Sequence, residues 1–189
     1  MEECKYPKRK RTRLKDYDYT KNGAYFITIC THNKKYILSN IVGEGRCLPV
    51  ASGYRRPNRR RELCALPKNI LTATGKEIEK SIQYINDNYI GVTISKYVIM
   101  PNHVHLIVFL DNSVGHGNPP LQNIIGQLKS YTTNKYGQTL WQRSFHDHII
   151  RNENDYEKIW EYIDTNIIRW NFMKRKQFCK NRTVSFLAL

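Results

Sequence analysis

The apolar run KYVIMPNHVHLIVFL, residues 96–110, is the feature that most limits the fold of this 189-residue chain. Its β-branched and aromatic residues are typical of a buried β-strand, and Met100-Pro101-Asn102 is its one interruption. His103 and His105 follow that interruption. Because side chains alternate across a strand, both histidines point to one face, while Val104 and its alternate neighbours point to the other. We therefore expect one core face and one face that presents two imidazoles.

The rest of the chain divides into further elements by periodicity and by turn residues. The pattern first predicts a strand at 23–31, an irregular loop at 43–71 and a helix at 72–89. A strand at 91–95 then pairs with the run 96–110. After it we expect a helix from Pro119 to Gly137, a strand at 144–151 and a helix from Asn152 to about Arg169. Thr74, Asn118 and Asn152 are the expected N-caps. This order favours an α+β fold, a ferredoxin-like antiparallel sheet with helices on one face.

The charge of the chain is strongly basic. Lys and Arg number 31 against 16 Asp and Glu, so the net charge is +15 and the pI is near 9.7. Three basic blocks carry much of the excess, at 8–15, 54–61 and 174–182. A charge of this size favours a polyanionic partner, and nucleic acid is the first candidate.

The length predicts one domain, residues 1–189, and the composition excludes several other classes. Within the domain we expect a basic N-terminal arm at 1–15, an Arg-rich insertion at 46–62 and a basic C-terminal tail at 173–189. The N-terminus lacks the apolar segment of a signal peptide, and no apolar run reaches the ~18 residues of a membrane span. The five cysteines contain no Cys-x-x-Cys pair, so we expect reduced thiols in a cytoplasmic protein.

The two histidines of the run allow two interpretations. Two imidazoles on one strand face can hold a divalent cation if further ligands join them. The alternative is a pair of partly buried, hydrogen-bonded histidines with a structural role. The sequence argues strongly against a histidine-triad nucleotide hydrolase, because that class needs a third histidine where this chain has Ile107.

The third predicted helix offers a partner for the histidines. Its apolar stripe leaves Tyr162 and Asn166 side by side on one flank, four residues apart. A tyrosine at the edge of such a stripe is often an amphipathic packing residue. Tyr162 and Asn166 could instead supply a nucleophile and a third metal ligand. Tyr156 in the stripe and Tyr131 on the second helix are the competing tyrosines.

Four segments of the chain together resemble the REP-associated tyrosine transposases, which are relatives of the single-tyrosine HUH transposases of simple bacterial insertion sequences. The segments, in the order in which the family has them, are RLKDYDYTKNGAYFITICT, YVIMPNHVHLIV, GNPPLQNIIGQLKSYTTNKY and LWQRSFHDHIIRNENDYEKIWEYIDTN. The resemblance covers about residues 11–172. The Arg-rich stretch 46–62 departs from the family pattern.

The resemblance implies an HUH-type fold with a C-terminal helix that carries the nucleophile. His103 and His105 match the metal-binding histidine pair, Tyr162 matches the nucleophilic tyrosine, and Asn166 matches the polar position that completes the metal site. The implied cofactor is Mg²⁺ or Mn²⁺. The implied reaction is cleavage and rejoining of single-stranded DNA at hairpin-forming repeats through a 5′-phosphotyrosine. His148 matches a family histidine whose role is open, with a structural role favoured.

The implied partner is single-stranded or hairpin DNA in the bacterial cytoplasm, with no membrane, and we expect a monomer rather than a homodimer. Candidate DNA-binding residues come from the basic blocks and from the family motifs: Arg9, Arg11, Arg13, Lys15, Arg55, Arg56, Lys129 and Arg143.

Two other functions compete with the enzyme. A non-catalytic protein of the same fold could bind DNA or RNA hairpins, but a decayed copy should have lost at least one of His103, His105 or Tyr162. An RNA-recognition module would need exposed aromatic residues on its central strands, and Tyr25 and Phe26 do not form its known motif.

Overall fold

The computed structural model describes residues 17–43, 66–111, 113 and 119–185, with side chains through residue 173. Several predicted features lie outside the residues whose side chains are described: the arm at 1–15, the stretch 46–62, Asn118 and most of the tail. The elements in chain order are β1 Gly23–Cys30, β2 Ser39–Val42, β3 Lys68–Leu71, α1 Ala73–Asn88, β4 Val92–Met100, β5 His103–Leu110, α2 Leu121–Tyr136, β6 His146–Ile150 and α3 Glu153–Ser185.

Four strands form one antiparallel sheet in the order β4-β5-β1-β6. With α1 between β1 and β4 and α2 between β5 and β6, this is the ferredoxin-like arrangement, so the predicted fold is confirmed. The short strands β2 and β3 pair separately. The expectation of an irregular loop over 43–71 is therefore wrong for Lys68–Leu71, whose backbone hydrogen bonds are made to β2.

One face of the sheet packs on α1 and α2. Ile78, Ile82 and Ile85 of α1 and a matching apolar row of α2 are buried against Val104 and Leu106 of β5. A fully buried aliphatic side chain contributes roughly 1.5–3 kcal/mol relative to exposure. This face holds the larger of the two cores, as the alternation along 96–110 predicts.

The N-cap of α1 lies two residues before the predicted N-cap. Thr72, not Thr74, is the N-cap, and its hydroxyl accepts a hydrogen bond from the Gly75 amide at 3.1 Å. A Cβ on Gly75 would lie 2.1 Å from the carbonyl oxygen of Leu38. Thr74 lies inside the helix and so cannot be its N-cap, and the glycine at position 75 lets the helix start approach Leu38 this closely.

The interruption in the apolar run is a hairpin turn. β4 ends at Met100 and β5 begins at His103, so Pro101 and Asn102 form the turn between two long strands. The predicted division between 91–95 and 96–110 is wrong, and only a register shift near Ile94 marks that place. The turn is fixed from outside, because Pro101 O accepts the Ile37 and Leu38 amides and Asn102 O accepts the Thr31 amide.

α2 begins at Leu121, so Pro119 is not its first residue as predicted, and Pro120 takes the N-cap position. Its end is as predicted: Gly137 adopts φ +75, which favours glycine because it has no Cβ.

α3 lies on the face opposite α1 and α2. Asn152 caps it as predicted, since its side chain accepts the Asp155 amide at 2.9 Å. The helix does not end near Arg169 but continues to Ser185, for 33 residues. Its apolar side chains pack on Ile107 and Phe109 in a second, smaller core. Among the described helices, none combines the length and apolarity needed to span a membrane.

Candidate active site

The start of β5 places two imidazoles under α3. His103 is paired with Cys30 of β1 and His105 with Thr28, so both side chains lie on the α3 face of the sheet. Their ring centroids are 4.6 Å apart. The strand geometry alone therefore brings the predicted histidine pair together on a surface that a helix covers.

Both rings are held through the same nitrogen. His103 Nδ1 lies 2.7 Å from Asn102 Oδ1, and His105 Nδ1 lies 2.9 Å from Thr28 Oγ1. Because an amide oxygen can only accept, His103 carries its proton on Nδ1. His103 Nε2 is then free to act as a ligand. His105 Nε2 can do so when His105 Nδ1 donates its proton to Thr28 Oγ1, and in both rings the partner of Nδ1 fixes the ring orientation.

Burial keeps both histidines neutral. Loss of solvation lowers the pKa of His103 to about 4. For His105 the same loss of solvation, with a smaller repulsion from His103, lowers the pKa to about 3. Neutral imidazole is the form that donates a lone pair, so near pH 7 both residues can coordinate a cation without first losing a proton.

α3 crosses β5 in the antiparallel direction and brings one row of side chains over the histidines. Tyr162, Asn166 and Trp170 are spaced by four residues and so lie on one side of the helix. The Tyr162 hydroxyl is 3.5 Å from His105 Nε2. The Trp170 ring centroid is 5.6 Å from that of His103. Asn166, between them in the row, is buried with 5% of its surface exposed.

Phe26 of β1 supports this cluster from the sheet. Its ring stacks on His105 at 5.1 Å and meets the ring of Tyr162 edge-on at 6.0 Å. The guanidinium carbon of Arg169 lies 5.5 Å from the centroid of the Tyr162 ring. The phenol therefore has an aromatic support and a positive charge beside it, which favours an anionic group nearby.

The two competing tyrosines are in different places. Tyr156 packs on Phe109 at 5.9 Å, within the small core and away from the histidines. Tyr131 lies on α2, across the sheet from the histidines, and its hydroxyl is 3.4 Å from Glu77. Of the three tyrosines considered, only Tyr162 contacts the histidine pair.

His103 and His105 supply two of the ligands that a divalent cation needs. Within the described residues, no third His, Cys, Asp or Glu joins His103 and His105 to form a metal-binding group. The buried amide of Asn166 lies in the row between the two residues that contact the imidazoles. Two neutral imidazoles fit a cation whose remaining ligands come from water or from a substrate oxygen, and Asn166 would be the third protein ligand.

His148 has a contact that links two elements. It lies on β6 beside Phe26, and its Nε2 is 2.9 Å from Asp155 Oδ2 in the first turn of α3. The hydrogen bond from His148 is the largest cause that lowers the pKa of Asp155. This contact gives His148 a role in fixing the start of α3 relative to the sheet.

Lys129 and Arg143 lie side by side. The Lys129 ammonium donates to the carbonyl oxygens of Gln142 and Arg143, at 2.7 and 3.1 Å. Lys129 therefore holds the loop before β6, while the Arg143 side chain is exposed. The other predicted DNA-binding residues, Arg9, Arg11, Arg13, Lys15, Arg55 and Arg56, lie outside the described residues.

Five residues of the site were not predicted as site residues from the sequence: Phe26, Thr28, Asn102, Arg169 and Trp170. The strand register identifies Thr28 only once β1 is known to pair with β5. Trp170 had a visible signal, since it continues the four-residue spacing of Tyr162 and Asn166, but the helix was expected to end before it.

Comparison with known proteins identifies a solved structure of similar fold and one relative that is similar in sequence. No family model matches the chain. The solved structure of a REP-associated tyrosine transposase bound to a REP hairpin is similar, with a TM-score of 0.50 and 22% identity over 83% of this chain and 73% of that one. The chain thus has the fold of that transposase, and the predicted resemblance is confirmed at the level of fold.

A closer match in sequence is an uncharacterised protein of Haemophilus influenzae. It is 32% identical over an alignment 184 positions long, and the alignment covers 86% of this chain and 89% of the relative. The chain belongs to the same family as that protein.

Proposed function

We propose that the chain is an HUH-type tyrosine transposase that cleaves and rejoins single-stranded DNA. The observation that carries the proposal is the 3.5 Å approach of the Tyr162 hydroxyl to His105 Nε2, beside a second buried imidazole. Tyr162 packs against the smaller core, but its hydroxyl faces a ring nitrogen of the buried histidine pair. A nucleophile beside a phosphate-activating site would lie in this place.

Tyr162 would supply the attacking oxygen. Its bond to the scissile phosphorus forms as the bond from phosphorus to the 3′ oxygen breaks, and the phenolic proton ends on that 3′ oxygen. The products are a 5′-phosphotyrosine and a free 3′-OH. One phosphoester replaces another, so the step is reversible and a 3′-OH can rejoin the strand without an energy-rich cofactor.

His103, His105 and Asn166 would hold a divalent cation, Mg²⁺ or Mn²⁺, which when bound polarises the scissile phosphate and stabilises charge in the transition state. The residues of the chain do the rest. Asn102 and Thr28 orient the imidazoles. Phe26 holds the phenol over the sheet, and Arg169 lies close enough to attract a phosphate.

The proposed substrate is a DNA hairpin with an unpaired flank. The net charge of +15 suits a polyanion, and the transposase of similar fold is described as bound to a REP hairpin. We further propose that the chain acts as a monomer, because the histidine pair and Tyr162 meet within one chain.

A hairpin-binding protein without cleavage is the second candidate. It would keep the same fold and basic charge, but nothing in that role needs Tyr162 and both histidines together. An RNA-recognition module is disfavoured, because Tyr25 is fully buried and Phe26 is covered by α3.

The two candidates differ in one product. Wild-type protein, Mg²⁺ and a hairpin oligonucleotide from the repeats that flank its gene should give a covalent adduct on a denaturing gel. A label at the 3′ end of the oligonucleotide should stay with the protein, and a 5′ label should not. Tyr162→Phe should lose the adduct and keep hairpin binding, because only a hydroxyl is removed.

Tyr156→Phe is the matched control, since it removes a tyrosine hydroxyl from the same helix and should leave the adduct intact. An adduct that persists in Tyr162→Phe would place the nucleophile elsewhere. Hairpin binding without any adduct from wild type would favour the non-catalytic protein.

A further inference from the structure

We propose that Tyr36 and Trp170 form a stacking site for one unpaired base, next to the phosphate that is cut. The inference rests on the proposed function, and it names the part of the substrate that must be single-stranded. Tyr36 lies after β1, and Trp170 lies on α3, two turns beyond Tyr162.

The geometry forms an aromatic path from the surface to the histidine pair. Tyr36 is 61% exposed, so one face of its ring is open to a ligand. Its ring meets Trp170 edge-on, with centroids 5.7 Å apart and planes at 73°. Trp170 in turn lies 5.6 Å from His103. A base stacked on Tyr36 would therefore be one ring away from a residue of the candidate active site.

The backbone around Tyr36 is fixed on both sides. The Thr31 hydroxyl donates to Lys35 O at 2.9 Å, and the Ile37 and Leu38 amides donate to Pro101 O at 2.9 and 3.0 Å. Pro101 belongs to the turn that positions His103. Tyr36 therefore lies in a segment whose backbone is fixed by hydrogen bonds. The turn that positions His103 also sets the distance between Tyr36 and the histidine pair.

The surroundings of Tyr36 suit a nucleotide more than an apolar partner. Lys34 and Lys35 precede it and are exposed, so cationic groups lie beside the aromatic face. Unpaired bases stack on aromatic side chains with little sequence preference, while lysines contact the phosphates. A base inside a duplex has no free face to offer, so the site selects the unpaired flank of a hairpin.

The chain offers a matched control for this site. Tyr84 is 60% exposed, but it lies on α1, across the sheet from the histidines. Tyr84→Ala removes the same group from an equally exposed place. Tyr36→Phe keeps the stacking face and loses only the hydroxyl. Tyr84→Ala should behave as the parent protein in the tests below, and Tyr36→Phe should retain the stacking signal that Tyr36→Ala loses.

The test uses Tyr162→Phe as the parent, so that binding is measured without cleavage. Hairpins with 2-aminopurine at successive unpaired positions are titrated, and fluorescence and affinity are recorded. One position should be quenched by stacking. Adding Tyr36→Ala should abolish that quenching and weaken binding about tenfold, which is ~1.4 kcal/mol. An abasic nucleotide at that position should weaken binding equally, with no further loss in Tyr36→Ala.

Equal affinity and equal quenching in the Tyr36→Ala and Tyr84→Ala proteins would overturn the stacking site while leaving the transposase proposal intact. If the parent binds no hairpin from its flanking repeats, the proposed function fails and the stacking site fails with it. Thermal unfolding of each variant shows whether a loss of affinity is a loss of fold.

Discussion

The two faces of the sheet are built from the same strands but for different purposes. On the α1 and α2 face, alternate residues of β5 such as Val104 and Leu106 enter a continuous aliphatic core. On the α3 face, the residues between them are His103 and His105, and the helix above carries Tyr162 and Asn166. The first face supplies the stability that allows the second to bury groups whose desolvation is costly.

Because of this difference, substitutions of adjacent residues of β5 should have different effects. A change on one face should reduce stability and spare the chemistry, and a change on the other should do the reverse. The variants below are arranged from the largest expected effect to the smallest.

Leu106→Ala should lower the free energy of unfolding by about 2–5 kcal/mol, because it leaves a cavity in the larger core. For a chain of this size the melting temperature should fall by roughly 5–20 °C. Cleavage per folded molecule, measured well below the melting transition, should stay near wild type. Loss of cleavage at full folding would mean that the two faces are coupled.

His103→Ala should reduce metal-dependent cleavage by at least about 100-fold, because one ligand of the proposed cation is lost. Hairpin affinity should change little, and the melting temperature should fall far less than in Leu106→Ala. The measurement is cleavage against Mg²⁺ concentration. Wild-type rates in Mg²⁺ would show that the metal assignment is wrong.

His148→Gln should have the smallest effect, less than about 1 kcal/mol, because its contact with Asp155 is largely exposed. The contact lowers the pKa of Asp155 in the folded state. Its stabilising effect is therefore present above the unfolded carboxyl pKa, near 3.9, and is lost as pH falls through the lower folded value. The difference in melting temperature between wild type and variant should begin to shrink below about pH 4 and should vanish only below the lower folded pKa of Asp155. Cleavage at pH 7 should remain.

Much of the fold could be predicted because its main elements have clear periodicity. The alternation in β5 and the apolar stripes of α1 and α2 gave the order and the packing of the ferredoxin-like core. The strands β2 and β3 have four residues each and were missed, since four residues carry too little pattern to be distinguished from a loop. The end of α3 was missed because residues beyond Trp170 are mostly polar and show no apolar stripe.

The site divides in the same way. His103 and His105 share a face by simple alternation, and Tyr162 and Asn166 share a flank by helical spacing. Which nitrogen of each histidine is engaged could not be predicted, because it depends on contacts between distant segments. Thr28 is 77 positions from His105 in the chain, and no local pattern links the two.

The length of α3 has a mechanical consequence. A helix of 33 residues is about 50 Å long, and Tyr162 lies within its first third. Near Tyr162 the helix is fixed to the sheet by the pair of Lys96 with Asp164, at 2.5 Å. The residues after Trp170 add about 22 Å of the same helix. The phenol over the histidines and the residues beyond Trp170 therefore belong to one continuous helix, so a displacement of the helix axis beyond Trp170 would be transmitted to the phenol.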